Sequence, residues 1–371
     1  MAMVMQAVLL TGHGGPEMLH YRQDVPRPTA GPGEVLVRLR AAAVNNTDIA
    51  TRTAWYAPAP TDGADQADAP RIVTFSKRTI DFPRIQGAGG AGVIAAVGPG
   101  VPGDRVGQVV VVDPYLRDPA LPPPAQLSVF MGSGCDGCFA DYVTVRAENA
   151  LAIRAPMTFA ELACLPVAYQ TAQEMVTRGR IGPGDRVVVT GASGGVGFAN
   201  LQLARLRGAS VLAVAGADKH AALRDLGADQ VIGRDADVSA AAEALWGERP
   251  VDVVLDVAGG PAFGNLLHSL RRGGRLVCAG AIAGAMADID LRVVIYRDLE
   301  ILGVGTSQPQ VMQALLDQAE TGKLHPVISH VLPLSDLAKA QALFQAKSHV
   351  GKIVIDIHRA ADTALPQPLE G

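Results

Sequence analysis

Apolar and polar positions along the chain follow two regimes. Up to about residue 158, short apolar runs alternate with Pro- and Gly-rich turns. Gln6–Gly12 (QAVLLTG) and Glu34–Val44 (EVLVRLRAAAV) are the first strand candidates. The second follows a Gly31-Pro32-Gly33 turn and places Val35, Val37 and Leu39 at every other position, the period of a half-buried strand. Pro26, Pro28 and Pro32 punctuate the link between the two. The run VVVVD after Gly103-Asp104-Arg105-Val106 and the run Phe139–Val145 (FADYVTV) predict two further strands. Residues 57–71 and 114–137, rich in Pro, Ala and polar residues, read as surface loops.

From Phe159 the period lengthens. Phe159–Val176 reads as helix broken at Pro166. From Asp185 onward strands alternate with helical segments: Val187–Thr190, Ser210–Ala215, Val251–Val257, Gly274–Ala279 and Leu299–Val304 are the strand candidates. That alternation predicts a parallel sheet covered by helices on both faces. Helices at Gln310–Thr321 and Ser335–Lys347 and a strand at Lys352–Ile357 follow, and the last fourteen residues read as a loose tail. The organisation expected is a β-rich domain over residues 1–158, completed by 308–371, with an α/β domain over 159–307 inserted into it. A cleft between two such domains is the natural place for an active site.

With 371 residues, 49% of them hydrophobic and 18% charged, the chain can bury two cores. The formal charge of −4 comes with no basic patch, which argues against a nucleic-acid partner. No run of 18 apolar residues predicts a membrane span, and the start MAMVMQAVLL lacks the positive lead of a signal peptide. Cys135, Cys138, Cys164 and Cys278 do not form a secreted disulfide pattern, so a cytoplasmic protein is expected.

The chemistry is concentrated in Val187–Gly197 (VVVTGASGGVG). A buried strand is followed by glycines at 191, 194, 195 and 197 and then by the helical FANLQLARLR, Phe198–Arg207, with Gly208 as its stop. Strand, glycine turn and helix is the arrangement that holds a dinucleotide pyrophosphate: the turn lets the backbone approach, and the helix N-terminus offers N–H groups and a positive dipole end. The spacing is GxxGxxG, and the residues expected on the cofactor are Gly191, Ser193, Gly194, Gly195, Val196 and Gly197.

Together with GPGEVLVRLRAAAVNNTDI, GDRVVVTGASGGVG, LGAD (Leu226–Asp229), GGRLVCAGAIAG (Gly273–Gly284) and HVGKIVI (His349–Ile355), this motif makes the chain resemble the medium-chain dehydrogenase/reductase superfamily over nearly its whole length. It is most similar to the zinc-free quinone oxidoreductase branch. The resemblance implies an α/β protein with a Rossmann nucleotide-binding domain and a GroES-like β-rich catalytic domain. In zinc-dependent relatives the metal needs Cys, His and a second Cys. Those positions fall here on Asn45, Ala88 and Val167, with Gly89 in place of the acid after the histidine. The structural zinc lobe needs four cysteines, and only Cys135 and Cys138 stand near it. No bound metal is expected, and the cysteines read as packing or loop thiols.

An acid usually closes the second strand of an NAD site. Ala215 and Gly216 stand there, Lys219 follows, and the resemblance gives such a lysine to the NADPH 2′-phosphate; Asp218 beside it points the other way. NADPH is therefore the cofactor expected. The resemblance also places Thr171, Gly280 and Ile282 at the nicotinamide and Lys352 at the pyrophosphate. Without zinc, the charge that develops on a substrate oxygen needs hydrogen-bond donors, and Asn45 and Tyr56 match the amide and phenol of the family's substrate cleft. Each also has a plain reading, Asn45 as a turn residue and Tyr56 as a cleft wall. The function expected is NADPH-dependent, zinc-free hydride transfer to a quinone or an α,β-unsaturated carbonyl, by a homodimer paired through the Leu299–Val304 edge. The alternatives are an alcohol dehydrogenase of the same superfamily and a non-enzymatic NADPH-binding sensor.

Overall fold

The structure, a computed structural model, describes residues 3–55, 80–118, 120, 127–248 and 251–357. Tyr56, the loop expected at 57–71, part of that expected at 114–137 and the C-terminal tail lie outside the described residues. The chain divides into two compact units. The first takes residues up to Val167, His330–Ser348 and residues from Ile353; the second takes Ala168–Ser329 and His349–Lys352.

In chain order the first unit provides β1 (Val4–Leu10), β2 (Leu19–Pro26), β3 (Glu34–Ala43), α1 (Asn46–Arg52), β4 (Arg84–Ile85), β5 (Gly90–Val97), β6 (Val109–Val112), β7 (Tyr115–Arg117), β8 (Leu127–Phe130), β9 (Tyr142–Arg146), β10 (Ala150–Ala152) and α2 (Phe159–Leu162). β2, β1 and β4 form a three-stranded antiparallel sheet. β3 is the centre of the larger sheet, because it pairs antiparallel with β5 and with β9. The strand expected at 139–145 begins three residues later. Phe139 and Asp141 bond to β1, through Val8 N–H to Phe139 O at 3.0 Å and Asp141 N–H to Gln6 O at 2.8 Å, while the Asp141 carbonyl also accepts Leu39 N–H of β3 at 2.9 Å, so this stretch bridges the two sheets. Val35, Val37 and Leu39 of β3 are buried with Ile94, Val110 and Phe139 in one core.

The second unit opens with α3 (Gln170–Arg178) and continues through β11 (Arg186–Val189), α4 (Gly195–Leu206), β12 (Ser210–Val214), α5 (His220–Asp225), β13 (Gln230–Ile232), α6 (Val238–Trp246), β14 (Val251–Asp256), α7 (Phe263–Ser269), β15 (Leu270–Cys278), α8 (Leu291–Tyr296), β16 (Glu300–Gly303) and α9 (Pro309–Glu320). Its six-stranded sheet has the order β13-β12-β11-β14-β15-β16, all parallel, the doubly wound Rossmann arrangement with its switch point between β11 and β14. The central strands are apolar on both faces because helices cover both: Val187, Val188, Val189, Val253, Val254 and Leu255 have no exposed surface.

β17 (Ile328–Pro333), α10 (Leu337–Ala346) and β18 (Lys352–Asp356) return the chain to the first unit, where β18 pairs antiparallel with β3 and completes the order β10-β6-β5-β3-β18-β17.

The boundaries differ from the expected 158/159 and 307/308. α2 packs on β3 and β5 and so stays with the first unit, and the predicted helix breaks over Leu165–Tyr169, where Pro166 is extended and Val167 has φ +62°. Residues after 307 stay with the second unit because α9 packs on α3 and Gln308 N–H donates to the Glu174 carboxylate at 3.2 Å. The helix after the glycine turn starts at Gly195 instead of Phe198. Gly194 caps it with extended backbone, and the Phe198 N–H reaches Gly194 O at 2.8 Å. The stop at Gly208 (φ +83°) is as expected: Ala209 N–H returns to Ala204 O at 3.1 Å.

Candidate active site

In the second unit, the carboxyl ends of β11, β12, β14 and β15 converge on one rim. The turn after β11 runs Gly191–Gly194, where Gly194 N–H bonds Gly191 O at 3.0 Å and Ala192 N–H bonds Val214 O at 3.2 Å. Gly197 lies so close beneath the turn that a Cβ there would overlap the Gly191 carbonyl, so only glycine lets α4 begin at this distance. The first-turn N–H groups of α4 and its dipole face outward over this rim, a cradle that fits a pyrophosphate.

Two groups outside the turn hold it. Gly351 N–H donates to Ser193 O at 2.9 Å, and the stem of Lys352 covers the first turn, its Cδ 2.6 Å from where a Cβ on Gly195 would stand. Lys352 thus sits in the second unit with the glycine turn, and is buried. Val196 is half-buried on that turn.

The end of β14 carries a residue that motif reading overlooked. The Asp256 carboxylate has no exposed surface; it accepts the Thr190 hydroxyl and the N–H groups of Ala258 and Gly259, both at 3.0 Å. Thr190 Oγ1 in turn accepts Val257 N–H at 3.1 Å. This fixes the 257–260 loop beside the glycine turn. Gly280, after β15, lies against it, since a Cβ there would stand 2.5 Å from Val257 O. The signal available was an acid at a strand end followed by two glycines, LDVAGG. Ile282 is exposed two residues beyond Gly280, and Thr171 lies half-buried in the first turn of α3.

At the end of β12, Ala215 and Gly216 stand as read, with Ala215 N–H bonded to Ile232 O at 3.0 Å. Lys219 is buried, 4% exposed, and engaged within the protein rather than extended into solvent.

In the first unit, Asn45 is the N-cap of α1. Its backbone N–H donates to Asp48 Oδ2 at 2.8 Å and its side-chain amide donates to Ala43 O at 2.9 Å, so the turn role is present. Ala88 and Val167 are buried together with Tyr115 and Phe130, whose rings lie 5.1 Å apart. A methyl, an isopropyl group and two aromatic rings give no donor set for zinc, and among the described residues no three His, Cys, Asp or Glu side chains group as ligands. Cys138 has no exposed surface and meets the Met131 sulfur at 3.6 Å. Burial pushes the Cys135 thiol up to about 11 and the Cys138 thiol higher still, which disfavours the reactive thiolate.

The chain is similar to known proteins over most of its length. Residues 31–155 match the family described as alcohol dehydrogenase GroES-like domain, and residues 226–355 match that described as zinc-binding dehydrogenase. A solved structure from Sinorhizobium meliloti 1021, provisionally assigned as an alcohol dehydrogenase, is 42% identical over 95% of this chain and 96% of that one, with a TM-score of 0.85. The 2-octenoyl-CoA carboxylase reductase CinF, solved with NADP and 2-octenoyl-CoA, is 27% identical over 95% of this chain and 87% of its own, with a TM-score of 0.80. Among curated relatives, the acryloyl-coenzyme A reductase of Metallosphaera sedula is 26% identical over 95% of this chain and 99% of its own length. The quinone oxidoreductase of Rattus norvegicus is 27% identical over 95% and 98%.

Proposed function

The chain belongs to the medium-chain dehydrogenase/reductase superfamily and is an NAD(P)-dependent oxidoreductase of a small molecule; from that premise we propose that it is a zinc-free, NADPH-dependent reductase of α,β-unsaturated carbonyl compounds or quinones. The observation that carries the reading is the packing of Ala88 and Val167 against Tyr115 and Phe130. Reduction of an isolated carbonyl profits from a Lewis acid on its oxygen. These side chains cannot hold one. A conjugated acceptor instead spreads the arriving charge over an enolate or hydroquinone oxygen, which neutral donors can stabilise. The relatives named for acryloyl-coenzyme A and 2-octenoyl-CoA lend weight to an enoyl thioester within that class.

When bound, the reduced nicotinamide supplies the hydride. The chain supplies the rest. The Gly191–Gly197 turn, Ser193 and Val196 hold the pyrophosphate, with Lys352 beside it. Thr171, Gly280 and Ile282 border the nicotinamide. The buried Asp256 keeps the 257–260 loop in place beneath them. Asn45 and Tyr56 donate to the substrate oxygen. NADPH is favoured over NADH because the strand-end positions themselves, Ala215 and Gly216, carry no acid, and Lys219, though buried, adds positive charge to the turn against Asp218 beside it. A cytoplasmic homodimer paired along β16 completes the proposal.

The test is NADPH consumption against a panel of quinones, enones and enoyl thioesters, with metal analysis of the same dialysed sample. Turnover of a conjugated acceptor without stoichiometric zinc is the expected result. Stoichiometric zinc, or turnover confined to simple alcohols and ketones, would overturn it.

A further inference from the structure

Gly216 ends the extended stretch after β12, where a dinucleotide's adenosine ribose is held. The position a Cβ would take on Gly216 lies 2.8 Å from Asp218 Oδ1 and 3.7 Å from Arg234 Nη2. Arg234 is 18 residues away in sequence and belongs to the turn after β13, the strand paired with β12. Both side chains are exposed, and among the described residues neither makes a hydrogen bond or an ion pair. Lys219, by contrast, is buried and engaged. The solvent-facing cation at this strand end is therefore Arg234.

We infer that cofactor choice is set by Arg234 acting against Asp218 across Gly216, with Arg234 receiving the 2′-phosphate of NADPH and Asp218 opposing it. The inference rests on the NADPH reading above. A guanidinium offers a planar fork of donors that matches phosphate oxygens two at a time. A carboxylate at the same strand end accepts hydrogen bonds from the free ribose hydroxyls of NADH and repels a phosphate on the 2′ oxygen. Glycine at 216 leaves the space between them open. The two charges pull the preference in opposite directions, so the protein binds both cofactors and its discrimination is the difference between them.

The experiment is fluorescence titration of the intact protein with NADPH and NADH, with adenosine 2′,5′-bisphosphate and 5′-AMP as probes that lack the nicotinamide. Arg234→Gln should weaken NADPH and the bisphosphate about tenfold and leave NADH and 5′-AMP nearly unchanged, the scale of one charge-assisted phosphate contact. Asp218→Asn should widen the preference for NADPH by roughly the same factor, with weaker NADH binding. Arg234→Glu should reverse the preference. Because both residues are exposed, unchanged unfolding midpoints are expected and show that the fold is intact. If the parent prefers NADPH and Arg234→Gln leaves NADPH binding unchanged, this inference fails and the NADPH reading survives. If the parent binds the two cofactors equally and Asp218→Asn creates no preference, both fail.

Discussion

Nε of Arg52 donates to Oε1 of Gln341 at 2.8 Å, tying the end of α1 to α10 across 289 positions of sequence. The same guanidinium reaches Gly14 O at 2.7 Å, Gln341 Nε2 donates to Gln86 Oε1 at 3.1 Å, and Gln86 Nε2 donates to the Asp48 carbonyl at 2.8 Å. Arg52 is 1% exposed, and burial lowers its pKa. This chain of donors fixes both ends of the helix that Asn45 caps. Replacing Arg52 with Met keeps the volume and strands buried acceptors on Gln341 and Gly14, so Arg52→Met should cost about 2–4 kcal/mol. Denaturant unfolding measures this; a shift within about 0.5 kcal/mol, the scale of an ordinary surface change, would show that the network carries no stability.

Asn45→Ala and Tyr56→Phe should each lower kcat while NADPH affinity stays nearly constant. Loss of one donor to a developing oxyanion costs about 2.7–4 kcal/mol of transition-state stabilisation. Asn45 also caps α1, so part of its effect should appear as about 1 kcal/mol of lost stability. Steady-state kinetics with the best acceptor, read beside NADPH titration, separates the two contributions. Unaltered turnover in either variant would remove that residue from the chemistry.

The thiols give a pH-dependent check. Desolvation disfavours the thiolate, so Cys135, pushed up to about 11, is only about one part in a thousand thiolate at pH 8. Alkylation of the native protein should therefore be slow at pH 8, rise about tenfold per pH unit toward 11, and reach Cys135 before the fully buried Cys138. Mass spectrometry of iodoacetamide-treated protein reads this directly. Rapid labelling of both cysteines at pH 7 would contradict it.

β16 pairs only with β15 among the described residues and is the edge of the six-stranded sheet. Ile301 on it is 39% exposed, and Ile295 and Tyr296 of the preceding α8 are 63% and 75% exposed. An open edge flanked by apolar side chains invites pairing with a two-fold mate. Light scattering should give a dimer at micromolar concentration, and Ile301→Lys, which charges the edge, should shift it toward monomer. A monomeric parent would end the proposal.

Much of the fold was legible because burial is written into local pattern. A strand buried on both faces must be apolar at every position, as Val187–Val189 is, and a turn that must approach a phosphate must carry glycines, as 191–197 does. The elements that depart from local pattern lie where one segment can satisfy its backbone in two ways. Phe139–Asp141 alternates like a strand of the large sheet yet divides its bonds between β1 and β3, and the chain past Ser307 has no local mark that it will pack on α3. Site residues divided likewise. Among the candidates, Gly197 and Asn45 stand out by motif, whereas Asp256 sits in an ordinary apolar strand and its hydrogen bonding depends on Thr190, 66 positions away.

The sequence by itself determined the alternation of strands and helices and the dinucleotide turn, because each depends on residue type at a fixed short spacing; that positions 45, 88 and 167 are the ones to inspect for zinc donors came from the family resemblance. Only the tertiary structure decided that Ala88 and Val167 close on Tyr115 and Phe130, that Lys352 lies over Gly195, that Lys219 turns inward, and that Arg234 stands at Gly216. Those relations join residues from different strands and loops. They follow from how parallel strands align their carboxyl ends and how the units fill their cores, and no short stretch of chain encodes either.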